Sequence, residues 1–298
     1  SDLLKEAVRS VLAQRYRPIE IIIVDDGSTD PKTVETIAAL VHSTPDLVNS
    51  LRIVNSGPGM ARQAGLQATT GRYVQFLDSD DLLLPDKFAL QVAGLEAHPD
   101  CGVSYGKTRE YTLGNVPADV PARRTGEKFD RLFPAALDGR IWATLTPLYR
   151  RSALQKIGAW STRGVLEDWE YECRLGALGT RMHYCDAFVA DVRHHPGPRE
   201  GLRWQHDDQA FKDMLSAHVQ VLEYARSVPV SADVPEMKRF ARNLFRLARD
   251  AGARGLPGEA HRLLRLAEEI DGARRGEYRF YGLAARLFGW RTLTAWAE

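Results

Sequence analysis

The chain has 298 residues, 44% of them hydrophobic and 27% charged, which is enough apolar content for one large α/β domain or two ordinary ones. Its formal charge of +1 gives no global field to draw it to nucleic acid or anionic lipid, so a charged ligand must be held locally. Cys101, Cys173 and Cys185 are scattered without CxxC spacing, which excludes a disulfide framework or structural zinc and implies reduced thiols in a cytoplasmic setting.

No apolar stretch approaches the roughly 18 residues that span a bilayer, and no basic-then-apolar leader is visible, so the protein is not expected to cross a membrane by itself. Leu3, Leu4, Ala7, Val8, Val11 and Leu12 recur at helical spacing, and Pro18 then leads into an apolar strand over 19–24. Helices over 31–41 and 59–68 alternate with strands over 51–54 and 73–77, a pattern of parallel strands with crossover helices. Pro85-Asp86 opens a further helix to 97, followed by a strand over 101–105. The segment 108–124, with Gly114, Pro117 and Pro121, lacks periodicity and is expected to be a loop. Strands over 144–149 and 182–192 enclose helices over 152–157 and 168–178.

His194-His195-Pro196-Gly197-Pro198 marks a change of character, dividing an α/β domain over 1–200 from a helical appendage over 201–298. Helices are expected there over 201–226, 235–251, 258–270 and 277–288. Ala241, Ala248, Ala260 and Ala267 suggest one helical hairpin, and a single copy does not establish a solenoid. In the tail, Phe280, Tyr281, Leu283, Leu287, Phe288, Trp290 and Trp296 are interleaved with Arg279, Arg286 and Arg291. A helix packed on its own domain is the simpler account, and an interfacial helix giving peripheral contact with the inner face of a membrane is the alternative.

Two acidic clusters about fifty residues apart, Asp25-Asp26-Gly27-Ser28-Thr29-Asp30 and Asp78-Ser79-Asp80-Asp81, each follow a buried-strand pattern. Carboxylates at strand ends of an open α/β sheet occupy the crevice where such folds bind ligands. Asp30 before Pro31 suits a helix cap, leaving Asp26, with Asp25 as an alternative, to accept from a base N–H or ribose hydroxyl. In the second cluster, crowded carboxylates call for a cation, and hard oxygen donors suit Mg²⁺ or Mn²⁺; a turn with a helix cap would also explain it. Between the clusters, the turn 55–59 with Arg62 one turn into its helix could hold an anion. Glu167-Asp168-Trp169 opens a helix, where a carboxylate serves either as a dipole partner or as a general base. His194 and His195 are surface histidines or members of a metal shell.

In order, these segments resemble the family 2 glycosyltransferases of GT-A fold. That pattern runs VDDGSTD, N-x-G-x-x-x-A-R-N-x-G, a strand ending in D-x-D-D, an E-D helix start and R-x-H-P-G. Residues 24–30 match intact, as do Asn55, Gly57, Ala61, Arg62 and Gly65, with Gln63 in place of the usual Asn. Residues 71–73 and 76–81, Glu167-Asp168 and Arg193-His194-His195-Pro196-Gly197 complete the order. The resemblance covers about residues 1 to 200. Such enzymes start with a further apolar strand that is missing from these residues, and an omitted segment is the expected source.

By this resemblance, Asp25, Asp26, Arg62, Asp78 and Ser79 would hold the nucleotide, Asp80 and His195 a Mn²⁺ or Mg²⁺ ion, and Asp168 would be the catalytic base. Asp81, Glu167, Trp169, Trp142, Trp160 and His194 would contact the acceptor or support the site, the tryptophans because aromatic faces suit sugars. The implied reaction is transfer, with inversion, from a UDP, dTDP or GDP sugar to the hydroxyl of a glycan, a lipid-linked glycan or a small molecule. A catalytically inert binding module of the same fold is the alternative. An aspartyl phosphotransferase would leave Glu167-Asp168 and His195-Pro196 unexplained.

Overall fold

A computed structural model of the chain describes residues 2–195 and 200–296. Two compact units make it up, Ser1–Leu132 with Arg140–Arg203, and Phe133–Gly139 with Trp204–Glu298. The first unit opens on helix α1 (Asp2–Leu12), whose Ala7 and Val8 are buried. Strand β1 (Ile21–Asp26), helix α2 (Pro31–Ser43) and strand β2 (Val48–Ile53) follow. β1 pairs in parallel with β2, from Ile21 opposite Val48 to Asp26 opposite Ile53. A parallel pair needs a crossover, which α2 supplies. Asp30 caps that helix as the sequence suggests, accepting from the amides of Lys32 and Thr33, each at 3.2 Å. Val8, Ile23, Ile37 and Val48 form a small core around this pair.

Helix α3 (Pro58–Ala68) precedes strands β3 (Tyr73–Gln75) and β4 (Leu82–Leu83), helix α4 (Lys87–Ala97) and strand β5 (Cys101–Thr112). Strand β6 (Leu148–Arg150), helices α5 (Arg151–Ile157) and α6 (Glu167–Ala177), and strand β7 (Arg181–His194) complete the unit. These strands form a sheet in the order β3-β6-β5-β7-β4. β5 and β7 run parallel and the other three pairings antiparallel, so this sheet is mixed. Phe88, Val92, Leu95, Leu145, Leu148 and Val189 belong to its core.

Four elements differ from their sequence pattern. β5 continues past Tyr105 to Thr112, paired with β7 as far as His194, so residues 108–112 are strand rather than loop. Its polar residues have tertiary partners: buried Thr108 bonds the Thr146 hydroxyl at 2.7 Å, and Arg109 bonds Asp191 across the pair at 2.7 Å. Residues 144–147 turn instead of extending, because Thr146 and Ala143 bond each other reciprocally. The helix expected from 201 is interrupted, with a 3-10 turn (Glu200–Gln205) ahead of helix α7 (Asp208–Arg226). Asp207 caps α7, accepting from the amides of Gln209 at 2.8 Å and Ala210 at 2.9 Å. Pro85 and Asp86 precede α4 rather than opening it. Pro196, Gly197 and Pro198 lie outside the described residues.

In the second unit, helices α8 (Pro235–Ala253) and α9 (Pro257–Ile270) pack as a hairpin. Ala241, Ala248, Ala260 and Ala267 are fully buried, small side chains that let the helices approach closely. Helices α10 (Arg275–Phe288) and α11 (Trp290–Trp296) follow, with Trp290 packed against Gly252. Among the described residues, no helix is long and apolar enough to cross a membrane. Cys101, Cys173 and Cys185 are free and buried.

Candidate functional site

No strand of the described residues lies between β1 and β3. A cavity of about 820 Å³ runs there, apolar where it meets α1 and polar where the two acidic clusters end. Asp25, Asp26, Arg62, Asp78, Ser79 and Asp80 line it, and so does His195. Residues taken from four separate stretches of sequence therefore meet on one surface. Asp168 and Glu167 are not on that lining; they connect to it through Arg62.

The chain turns out of β1 at Gly27, where φ is +74° and an added Cβ would sit 2.8 Å from the Asn55 amide. Asp26 accepts there from the amides of Ser56 at 2.8 Å and Gly57 at 2.9 Å. The amides that sequence reasoning offered to an anion are thus taken by a carboxylate of the protein. Asp25 is buried, accepting from the Ser28 amide at 2.8 Å and pairing with Arg52 at 3.1 Å. Burial raises the pKa of its carboxyl, but Ser28 and Arg52 outweigh this and hold it below its ordinary range.

Arg62 ties the cavity to α6. Its guanidinium donates to Asp78 Oδ1 at 2.9 Å and Glu167 Oε1 at 2.8 Å, and lies 5.1 Å from the centre of the Trp160 ring. Burial opposes its charge, but Asp78 and Glu167 prevail and raise its pKa. Gln63, in the position where the family pattern has Asn, accepts from the Trp160 amide at 3.0 Å.

Leu166, just before α6, has φ 56° and ψ 19°. Left-handed geometry costs a bulky residue about 1–2 kcal/mol, and strain of this kind gathers at functional sites. Glu167 and Asp168 then occupy the first turn of α6. Burial and the Asp168 charge push the Glu167 carboxyl up, with Arg62 opposing. Asp168 accepts from Arg140 through Oδ2 and from the Trp169 amide through Oδ1, the latter at 2.7 Å. Burial would raise its carboxyl, but Arg140 and then Arg62 hold it below the ordinary range. Arg140 is anchored on Glu172, one turn further along α6, by bonds of 2.5 and 3.2 Å.

Arg140 is the residue that sequence reasoning missed, because it sits in an irregular stretch with no motif. Asp168 and Glu172 did carry a signal. Two like charges at i and i+4 on a buried helix face are destabilising unless a cation intervenes.

In the second cluster, Asp80 Oδ2 and His195 Nε2 are 3.1 Å apart. Asp81 is buried and accepts from the Arg193 amide at 2.9 Å. Burial, with the charges of Asp78 and Asp80, pushes its carboxyl up to about 8. Among the described residues, no group of three or more His, Cys, Asp or Glu side chains is placed to hold a metal. The Asp80–His195 pair nonetheless suits one, since neighbouring donors on an octahedral ion bound at about 2.1 Å are about 3 Å apart. Phosphate and water would fill the other positions, as is usual for Mg²⁺.

Burial corrects the acceptor role expected for the tryptophans. Trp142 is fully buried against Tyr105, and Trp160 is stacked on Tyr171 with ring centres 3.9 Å apart, so neither ring is open to a sugar. Trp169 is likewise buried. His194 turns away to Glu110, 3.3 Å distant.

A family model described as glycosyl transferase family 2 matches residues 1–158. An uncharacterized glycosyltransferase of Nostoc sp. is 35% identical over 195 residues, covering 64% of this chain and 57% of its own length. The chain thus spans little more than half of that relative. S. aureus TarS 1-349, solved in complex with UDP-GlcNAc, superposes with a TM-score of 0.72 at 18% identity, covering 98% of this chain and 86% of its own. A mannosyltransferase of Pyrobaculum calidifontis, in complex with GDP-Man and Mn²⁺, has a TM-score of 0.54 at 18% identity, covering 99% of this chain and 79% of its own. Both likenesses concern the fold. With more than half of its length matched by the family model, and with helices flanking a sheet as in these GT-A structures, the chain belongs to glycosyl transferase family 2.

Proposed function

We propose that the chain transfers a sugar from a nucleoside-diphosphate donor of UDP, dTDP or GDP type to an acceptor hydroxyl, with inversion at the anomeric carbon. The observation that carries this is the meeting of Asp26, Arg62, Asp78, Asp80 and His195 on one cavity, with Arg62 bonded directly to the Glu167-Asp168 helix start. Asp26 and Asp78 face the nucleoside, and Arg62 the diphosphate. Asp80 and His195 would hold a Mn²⁺ or Mg²⁺ ion, which when bound neutralises charge growing on the diphosphate leaving group.

Asp168 is the base in this proposal. Arg140 keeps its carboxyl ionised, so it is ready to accept a proton near neutral pH. The acceptor oxygen attacks the anomeric carbon from the face opposite the diphosphate, its proton passes to Asp168, and the bond to the diphosphate breaks. Arg140, fixed by Glu172, is a positioning residue that sets the direction of the Asp168 carboxylate.

A thermal-shift panel of UDP, dTDP, GDP and CMP, with and without Mn²⁺, tests the donor site. One nucleotide is expected to shift the melt selectively and only with metal, and Asp80→Ala is expected to remove that shift. Asp168→Asn should keep the nucleotide shift while losing sugar transfer by about 10²-fold or more. Full transfer by this variant would overturn the assignment of the base, and no shift with any nucleotide would favour the inert module.

A further inference from the structure

Helix α10 has two apolar faces. Tyr278 and Ala285 point inward and are buried, and Tyr281 packs against Phe245 and Trp290. At about 100° per residue, the opposite face carries Phe280, Leu283 and Leu287, which are 76%, 57% and 69% exposed. Phe288, near the helix end, is 56% exposed. Exposed apolar residues scattered singly need no explanation, but Phe280, Leu283 and Leu287 share one face and form a patch, and such patches mark interaction sites.

Charge indicates what this patch meets. Residues 274–291 contain five arginines and one glutamate, a local excess of four in a chain whose net charge is +1. Arg274 pairs with Glu277 at 3.2 Å and Arg279 with Glu268 at 2.6 Å. Arg275, Arg286 and Arg291 are exposed and have no ion-pair partner among the described residues. On the helical wheel, Arg275, Arg279 and Arg286 fall together on one flank of the stripe of Phe280, Leu283 and Leu287. An aromatic and aliphatic stripe bordered by arginine is the pattern of a helix lying in the plane of a lipid headgroup layer. A second copy of the chain is a poorer fit, because a two-fold contact would set this arginine-rich face against itself.

We infer that α10 docks on an anionic lipid surface, with Phe280, Leu283 and Leu287 entering the headgroup boundary and Arg275 and Arg286 meeting lipid phosphates. The inference is independent of the donor and acceptor chemistry above.

Sedimentation of the full chain with large unilamellar vesicles tests it. The chain should sediment with phosphatidylcholine vesicles containing about a third phosphatidylglycerol, and not with phosphatidylcholine alone. Each of Arg275→Gln and Arg286→Gln should weaken partitioning about fivefold, from the ~1 kcal/mol that a basic residue contributes at such a surface. The double variant Phe280→Ser with Leu287→Ser should lose binding while its melting temperature stays unchanged, because both side chains face solvent. Failure of the unaltered chain to sediment with anionic vesicles would overturn the inference, as would binding that survives all these substitutions. A dimer in light scattering that the serine variant dissociates would also overturn it, assigning the face to a second copy.

Discussion

Replacing Arg140 by glutamine removes the cation to which both Asp168 and Glu172 are bonded. The three side chains are 13%, 19% and 4% exposed. Removing one partner of a buried ion pair costs about 3–5 kcal/mol, and the residual exposure of Asp168 places this case near ~3. At about 2–4 °C per kcal/mol for a unit of this size, the melting temperature at neutral pH should fall by about 6–12 °C. The pH dependence separates this cause from generic damage. In the unaltered chain the folded Asp168 carboxyl lies below its unfolded value, so its contribution is present above the unfolded value and is lost only on acidification through the folded one. Glu172 is raised and behaves oppositely, its contribution being lost as pH rises. Without Arg140 both carboxyls are raised, by burial and by each other, so the variant regains stability relative to the parent as pH falls. Thermal melts of the two proteins at about pH 7.5 and about pH 5 should show the gap narrowing. Arg140→Lys, which keeps the charge but cannot fork to both carboxylates, should recover only part of the loss. An equal gap at both pH values, or no gap at neutral pH, would refute the shared-cation account.

Asp81→Asn should flatten the dependence of stability on pH. Because the folded carboxyl is raised to about 8, its contribution is complete below the unfolded value of about 4 and is lost as pH rises toward about 8. An asparagine oxygen still accepts from Arg193, so urea midpoints should fall less with rising pH in the variant, and equal falls would count against the raised carboxyl. Gly59→Ala tests the approach of α3 to the segment before α6. An added Cβ would lie 2.7 Å from the Ser161 carbonyl oxygen and 3.2 Å from Glu167 Cγ. A substitution that usually favours a helix by up to ~1 kcal/mol should here destabilise by about 1–3 kcal/mol. Unchanged stability in a denaturant melt would mean that the contact yields freely.

Much of the local structure around the first acidic cluster was legible because it depends on local rules. β1 is a β-branched run stopped by Asp25-Asp26-Gly27, Asp30 stands before Pro31, and Gly27 takes the positive φ that its turn needs. Elements held by distant contacts were not legible. β5 extends through Lys107, Arg109 and Glu110 because Asp186, Asp191 and Arg123 wait across the fold, and no local period records that. Burial of Trp142 and Trp160 was hidden for the same reason, since an aromatic residue in an irregular stretch looks available to a ligand until its neighbours are known. Arg140 escaped because a lone arginine among irregular residues has no pattern, and only the helical spacing of Asp168 and Glu172 implied that a cation was needed.

The charges of the site are already spent on one another, and this bears on how a nucleotide would bind. Arg62 serves Asp78 and Glu167, Arg140 serves Asp168 and Glu172, and Asp26 occupies the amides of Ser56 and Gly57. Two guanidinium groups thus face four carboxylates, with Asp80 beside them. Unit charges 4 Å apart interact by about 4 kcal/mol at an effective dielectric constant near 20. A diphosphate entering alone would meet an excess of like charge, and Arg62 could turn to it only by leaving Glu167 or Asp78 unpaired. A divalent ion arriving with the nucleotide would offset that excess at Asp80 and leave Arg62 in place, still joined to the helix that carries Asp168. In the proposed reaction, nucleotide affinity, metal and the position of the base would therefore be coupled through Arg62. Arg62→Lys, a point charge that cannot bridge two carboxylates with a planar fork, should impair both nucleotide binding and sugar transfer, whereas Asp168→Asn should impair transfer alone.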